Sequence, residues 1–351
     1  MNKKYLCFGL GLDISKATFD ACFGGKLSNG DFKVIRTKKF KNNPTGFEAF
    51  ITWIEQNRVK NKLEKLDFKI MMEVTGVYHE SVLYCLYRKG YQVCLELGSR
   101  VKHYCKAIGL KSKNDKIDSK GMCQMAYTLN LKLWKPVSES ILNIRSLLRH
   151  RKALLKTKTS LGNQLHANMI SEVKDPEVAN SLIKMIKQLK QEIKIIEARA
   201  KLLSKSDKEF HRKVMMVTKS VFGLGFISVL TVVSETNGFK EFRNRKQLES
   251  YAGLDIIENS SGVFSGKTRI SKKGNANIRT VLYMSVLTII KSKSKPYYDL
   301  YSRLMKRNGG ISKKANVAVQ RKLLLIIYTL WKKDEAFDIS HYASVKEVVP
   351  A

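Results

Sequence analysis

The chain has 351 residues, 44% of them hydrophobic, with 65 Lys and Arg against 30 Asp and Glu, giving a formal net charge of +35. That much apolar material excludes global disorder, 21 Gly and 5 Pro exclude a collagen-like or Pro-rich chain, and the length favours two or three domains over one. Residues 1–140 carry 25 basic and 13 acidic side chains, 141–220 carry 18 and 7, and 221–351 carry 22 and 10. An excess spread this evenly suits a polyanion held over a broad surface better than a basic tail does.

The first segment reads as mixed α/β. Strands are predicted at Tyr5–Ile14, Phe19–Gly24 and Phe32–Phe40, the last two separated by the Gly/Asn/Ser cluster at Gly24–Gly30. Pro44-Thr45-Gly46 opens a helix with Phe47, Phe50, Ile51 and Ile54 on one face. A fourth strand at Phe68–Val74, a helix around Tyr78–Lys89, a fifth strand at Tyr91–Leu95 and a helix at Asp115–Leu131 follow. Three meander strands and then crossovers suggest a sheet with helices on its faces.

Residues 139–213 have long helical periodicity. Leu182, Ile186, Leu189, Ile193 and Ile196 recur in alternating four- and three-residue steps, a heptad seam, and Asp175-Pro176 breaks the run into two helices. A helical hairpin or coiled-coil spacer is expected. Arg145, Arg149, Arg151, Lys152, Lys156 and Lys158 decorate its first helix, as a solvated face or as phosphate contacts. The third segment begins with Phe222-Gly223-Leu224-Gly225-Phe226, a tight turn between helices. It reads as helical from there, except for a Gly/Ser loop at Asn259–Gly266 and a basic turn at Ser271–Gly274.

No apolar run approaches the ~20 residues that cross a bilayer, so no membrane partner is expected. The basic Met1–Lys4 is followed by no apolar region or cleavage site of a signal peptide. All six Cys fall within the first 123 residues and form no C-x-x-C pair, consistent with reduced thiols in a cytoplasmic protein. P-loop, nucleophile-elbow, H-E-x-x-H and dinucleotide motifs are absent.

Four carboxylates stand out. Asp13 ends the first strand, Glu73 ends the fourth, and Asp115 and Asp118 are three apart on one helix face. Converged, they would repel one another unless a divalent cation sat between them, and all-oxygen ligation suits Mg²⁺ or Mn²⁺. Taken singly each is an ordinary surface or capping residue. In a chain this basic, such a site serves phosphoryl transfer on nucleic acid. Ser260-Ser261-Gly262 precedes Lys267, Arg269, Lys272, Lys273 and Arg279. The serines alone read as a plain loop; the basic stretch reads as phosphate binding.

Gly11-Leu12-Asp13-Ile14-Ser15-Lys16, Glu73-Val74-Thr75-Gly76 and Asn114-Asp115-Lys116-Ile117-Asp118 resemble the acidic motifs of the DEDD transposases of bacterial insertion sequences. That family includes Piv-like DNA invertases and bridge-RNA-guided serine recombinases. The C-terminal part resembles the family's second domain through Gly223-Leu224-Gly225, Phe239 to Phe242, Tyr251-Ala252-Gly253-Leu254, Ser261-Gly262 and Ile270-Ser271-Lys272-Lys273-Gly274-Asn275. The likeness runs through nearly the whole chain in order.

The resemblance implies an RNase H-like (RuvC-like) catalytic domain at 1–135, a coiled-coil spacer at 136–215, a helical transposase domain at 216–335 and a tail at 336–351. It puts Asp13, Glu73, Asp115 and Asp118 at the metal positions, with Mg²⁺ or Mn²⁺, and Ser261 at the position of a nucleophile that forms a phosphoserine link; Ser260 and Ser265 remain alternatives. Gly262, Lys267, Arg269, Lys272, Lys273, Arg279, Arg149 and Arg151 are the expected nucleic-acid contacts. The implied partners are target and donor DNA, a structured guide RNA and further copies of the chain, as a dimer to tetramer, in the cytoplasm at the nucleoid. The competing readings are a metal-dependent junction nuclease that uses water, and a non-catalytic RNA- or DNA-binding scaffold.

Overall fold

The computed structural model describes residues 5–74, 76–110, 115–257, 260–261, 264–266, 269–307, 309–338 and 340, with the backbone only at Asp115, Lys116, Ser260, Ser261, Phe264 and Ser265. The chain divides into two compact units, Met1–Pro136 and Val137–Ala351.

The first unit contains β1 (Tyr5–Ile14), β2 (Thr18–Leu27), β3 (Phe32–Lys41), α1 (Pro44–Lys60), β4 (Phe68–Glu73), α2 (Glu80–Arg88), β5 (Val93–Glu96), α3 (Gly98–Ala107) and α4 (Asp115–Thr128). Its five strands form one sheet in the order β3-β2-β1-β4-β5. β1, β2 and β3 are successive antiparallel neighbours, while β4 and β5 run parallel to β1. The expected strands are present, β2 extending three residues beyond Gly24. A helix that sequence periodicity did not reveal, α3, follows β5. It is ten residues long and buries only Val101 and Cys105, too few for a helical period to register.

Alternation along the strands builds two cores. Leu10, Leu12, Ile14, Ile70 and Met72 face α1 and α2, where Phe19, Phe40, Phe50 and Trp53 form an aromatic cluster. Met71 and Cys94 face the other way, onto Val101 and Cys105 of α3 and Met122, Met125 and Ala126 of α4. Asn43 caps α1 by accepting from the Gly46 amide at 2.8 Å, and Pro44 supplies a first residue that needs no donor.

The second unit begins with α5 (Glu139–Ile170) and α6 (Pro176–Lys205), followed by α7 (Lys208–Ser220) and α8 (Phe226–Glu235). A 3-10 turn at Asn237–Phe239 leads to α9 (Arg245–Ala252), then to four two-residue strands. These are β6 (Ile256–Ile257), β7 (Ser260–Ser261), β8 (Phe264–Ser265) and β9 (Arg269–Ile270). The unit closes with α10 (Ala276–Ser292), α11 (Tyr297–Arg307) and α12 (Ser312–Lys333).

The break at Asp175-Pro176 starts α6, with the Asp175 carboxylate accepting from the Glu177 and Val178 amides. Arg151 pairs with Glu197 at 2.5 Å across the two long helices, so they run antiparallel as a hairpin. Leu182, Ile193 and Ile196 are buried. At the hairpin's root, Ile141, Ile144, Leu148 and Ala200 join the single core formed by α7 to α10 and α12.

The segment expected to be a Gly/Ser loop contains short strands. β6 pairs with β9 through Ile256–Ile270 and Ile257–Arg269, and β7 pairs with β8 through Ser260–Ser265 and Ser261–Phe264. Alternation over two residues per strand is too short a pattern to be read in sequence.

Candidate active site and nucleic-acid interface

On β1, Gly9, Gly11 and Asp13 point opposite to Leu10, Leu12 and Ile14, toward α4. The missing side chains let the helix in. A Cβ on Gly11 would stand 2.8 Å from the Met122 carbonyl carbon, and one on Gly9 would stand 3.1 Å from the Ala126 Cβ. A helix docked this tightly fixes Asp118, one turn before Met122, over the sheet face that bears Asp13.

Glu73 lies on the same face, since β4 alternates Met71 and Glu73 against Ile70 and Met72. Leu12 and Met72 are register partners on the parallel strands, so Asp13 and Glu73 each lie one residue further. The Glu73 carboxyl rests against the first residue of α3: a Cβ on Gly98 would be 2.7 Å from its Cδ. The partial positive end of that helix favours a carboxylate there. Burial first, then the charges of Asp118 and Glu73, push the Cys105 thiol up. Both acids therefore act on one point between α3 and the sheet.

The structure thus brings Asp13, Glu73 and Asp118 onto one face. Asp115 is the first residue of α4, and its side chain lies outside the described residues. Among the described residues no three His, Cys, Asp or Glu side chains gather closely enough to hold a metal ion. The donor set is nonetheless all carboxylate, the chemistry that suits Mg²⁺ or Mn²⁺.

In the second unit Ser261 of β7 pairs with Phe264 of β8. Gly262 and Lys267 lie outside the described residues, as do the side chains of Ser260, Ser261 and Ser265. The root of this ribbon is firmly held. Ser271 donates its amide to the Asp255 carbonyl at 2.9 Å and its hydroxyl to the Asp255 carboxylate. Lys272 donates its amide to Gly253, whose φ of 67° ends α9 in the left-handed region that glycine tolerates best.

The root converges on a residue that sequence reasoning missed. Glu235 ends the apolar helix α8 and is only 3% exposed. Its carboxylate accepts both arms of Arg149, at 2.8 and 2.7 Å, the Asn275 amide at 2.8 Å and the Asn277 amide at 2.9 Å. Its backbone carbonyl accepts from the Tyr251 hydroxyl at 2.9 Å, and Arg145 donates to the Ser234 carbonyl. Burial alone would push the Glu235 carboxyl up; the donors from Arg149, Asn275 and Asn277 outweigh it and hold it below its ordinary value. The one available signal was a glutamate closing an otherwise apolar helix, since glutamate is buried almost only when paired.

Arg149 and Arg151, expected on phosphates, lie against Glu235 and Glu197, although 54% of the Arg149 side chain remains exposed. Arg269, Lys272 and Lys273 are exposed. Arg279 donates to the Ala252 carbonyl at 2.8 Å. Lys152 reaches Asn277 Oδ1 at 2.8 Å, and burial together with the Arg279 charge pulls its ammonium down.

Residues 10–172 match a family model described as a transposase, of the IS110 type, and residues 216–303 match another described as the transposase IS116/IS110/IS902 family. The chain belongs to the IS110 family of transposases. It resembles a pilin gene-inverting protein of Moraxella bovis, 24% identical over 346 residues that cover 96% of this chain and 98% of the relative. The pilin gene-inverting protein of Moraxella lacunata is 25% identical over the same shares. The transposase for insertion sequence element IS1111A of Coxiella burnetii is 22% identical over 267 residues, 68% of this chain and 70% of the relative. The IS110-family chain is thus an enzyme, a DNA transposase or recombinase, and DNA is its partner. No helix among its described residues is long and apolar enough to cross a membrane.

Proposed function

We propose that the chain cuts and rejoins DNA with Ser261 as nucleophile, assisted by Mg²⁺ at Asp13, Glu73, Asp115 and Asp118. The observation that carries the acid half is the shared face of Asp13, Glu73 and Asp118 beneath α4. The strand order β3-β2-β1-β4-β5, antiparallel then parallel, supports an RNase H-like reading of this unit. A divalent cation, when bound there, supplies charge stabilisation to the phosphate undergoing transfer. Asp13, Glu73, Asp115 and Asp118 would hold it, and α4 keeps Asp118 in place above β1.

The serine hydroxyl attacks the phosphodiester phosphorus. The Ser Oγ–P bond forms, the bond to the leaving DNA oxygen breaks, and that oxygen departs as a hydroxyl once protonated. The hydroxyl proton passes to a base. Rejoining reverses the step with a different DNA end. Lys272, Lys273, Arg269, Lys267 and Arg279 hold backbone phosphates around the serine, and a structured non-coding RNA selects the DNA by base pairing. A net charge of +35 spread over the whole chain supports two nucleic acids bound through their backbones, since such contacts position without specifying sequence. The heptad seam of α6 is buried within the chain, while Ile183, Met185, Ile195 and Leu202 remain exposed on the same helix and support a coiled-coil role for the hairpin in an assembly of two to four copies. The pilin gene-inverting relatives favour segment inversion as one outcome of this chemistry.

The test is a covalent-adduct assay with Mg²⁺, DNA carrying the gene's native flanks and RNA transcribed from them. A protein–DNA adduct is expected in the wild type, absent from Ser261→Ala and absent from Asp13→Asn and Asp118→Asn with DNA binding retained. Metal-dependent nicking with no adduct would replace the serine with water.

A further inference from the structure

The acid face and the basic turn are absorbed by the proposed reaction; Glu235 is not. Its carboxylate accepts four side-chain hydrogen bonds, from one residue of α5 and two at the start of α10. Arg149 belongs to α5. Asn275 is the N-cap of α10, where its side-chain oxygen accepts from the Asn277 and Ile278 backbone amides, and Asn277 is the second residue of that helix. The Asn275 backbone N–H donates to the Tyr251 carbonyl at 2.7 Å, and Tyr251 donates its hydroxyl to the Glu235 carbonyl. The carboxylate and backbone carbonyl of Glu235 therefore tie α5, α8, α9 and the start of α10 to the segment Ser271–Asn275, which leads from the return strand of the ribbon into α10.

We propose that Glu235 is a positioning residue for the DNA reaction, setting through Asn275 and Arg149 the orientation of the ribbon that presents the nucleophile. The proposal rests on the reading of Ser261 as that nucleophile. A buried carboxylate with donors on both oxygens has a single satisfied geometry. The anchored leg is five residues long, and Ser271 locks it to Asp255 on the outgoing leg. A shift at Glu235 therefore moves both legs together. Glutamine at 235 would aim an N–H₂ at donors of its own kind, breaking the geometry with little change in volume. Aspartate at 275 would return a carboxylate to the cluster and still cap α10. Misplacement of reacting groups by about 1 Å costs on the order of 10²-fold in rate.

The experiment compares full-length wild type, Glu235→Gln, the swap Glu235→Gln with Asn275→Asp, and Ser261→Ala. The substrate is a supercoiled plasmid carrying the gene and its native flanks, with RNA from those flanks and Mg²⁺. Strand-cleavage rate at saturating DNA, DNA affinity and melting temperature are all measured. Glu235→Gln is expected to lose about 10²-fold in the saturating rate with its DNA affinity kept, and the swap is expected to recover part of that loss. A wild-type rate in Glu235→Gln overturns the proposal. So does a rate that falls only together with affinity and melting temperature, or a swap that recovers nothing. An adduct persisting in Ser261→Ala sinks the serine reading alone, because the Glu235 effect is scored on cleavage whatever the nucleophile.

Discussion

Gly11 of β1 and Met122 of α4 approach so closely that a Cβ on the glycine would stand 2.8 Å from the Met122 carbonyl carbon. The obstruction is backbone, which cannot rotate away as a side-chain end can. Gly11→Ala is therefore expected to push α4 off the sheet at the turn that carries Asp118. Overpacking of this kind costs about 3 kcal/mol. The measurement is thermal unfolding alongside DNA cleavage, with cleavage expected to fall further than stability alone explains. A variant with wild-type melting and cleavage would refute the close approach.

The two hairpin arginines separate two kinds of ion pair. Arg149→Met leaves the buried Glu235 carboxylate with its two amide donors and only the Arg145 guanidinium, 4.0 Å away, as a cation, and is expected to cost roughly 3 kcal/mol, the lower end for breaking a buried pair. Arg151→Met removes a partly exposed pair with Glu197, 23% and 33% exposed, and is expected to cost under about 1 kcal/mol. Chemical denaturation of the two variants side by side checks the order; equal losses would contradict it.

Lys272 and Lys273 are exposed in the turn that leads from the ribbon to α10. If each neutralises one phosphate, replacing either with alanine flattens the slope of log K against log salt by about 0.9. Titrations at several salt concentrations read this directly, and an unchanged slope removes the residue from the DNA surface.

The Glu235 carboxyl sits below its ordinary value of 4.5 in the folded chain. A depressed carboxyl contributes stability that is present above the ordinary value and lost as pH falls through the folded value. The stability gap between wild type and Glu235→Gln is therefore expected to be full near neutrality and to close on acidification below 4.5. Melting temperatures of the two proteins across that range decide it; a gap that widens in acid would reverse the assignment.

The sequence by itself determined a good deal. Alternation marked β1 and β3 nearly to the residue, Pro44 and Pro176 marked helix starts, and the Leu182–Ile196 seam marked the buried side of α6. These signals are local, a period of two or of seven or a fixed φ, and they survive without knowledge of the fold. The order of Asp13, Glu73, Asp115 and Asp118 on strand ends and one helix was legible for the same reason. The tertiary structure decided the rest. Which sheet face receives α4 depends on Gly9 and Gly11, two glycines that sequence periodicity treats as gaps. That Arg149 belongs to Glu235, 86 residues away, follows from packing α5 against α8, and no local pattern encodes a partner at that distance. A buried carboxylate reads as an ordinary glutamate until the donors that satisfy it are brought around it.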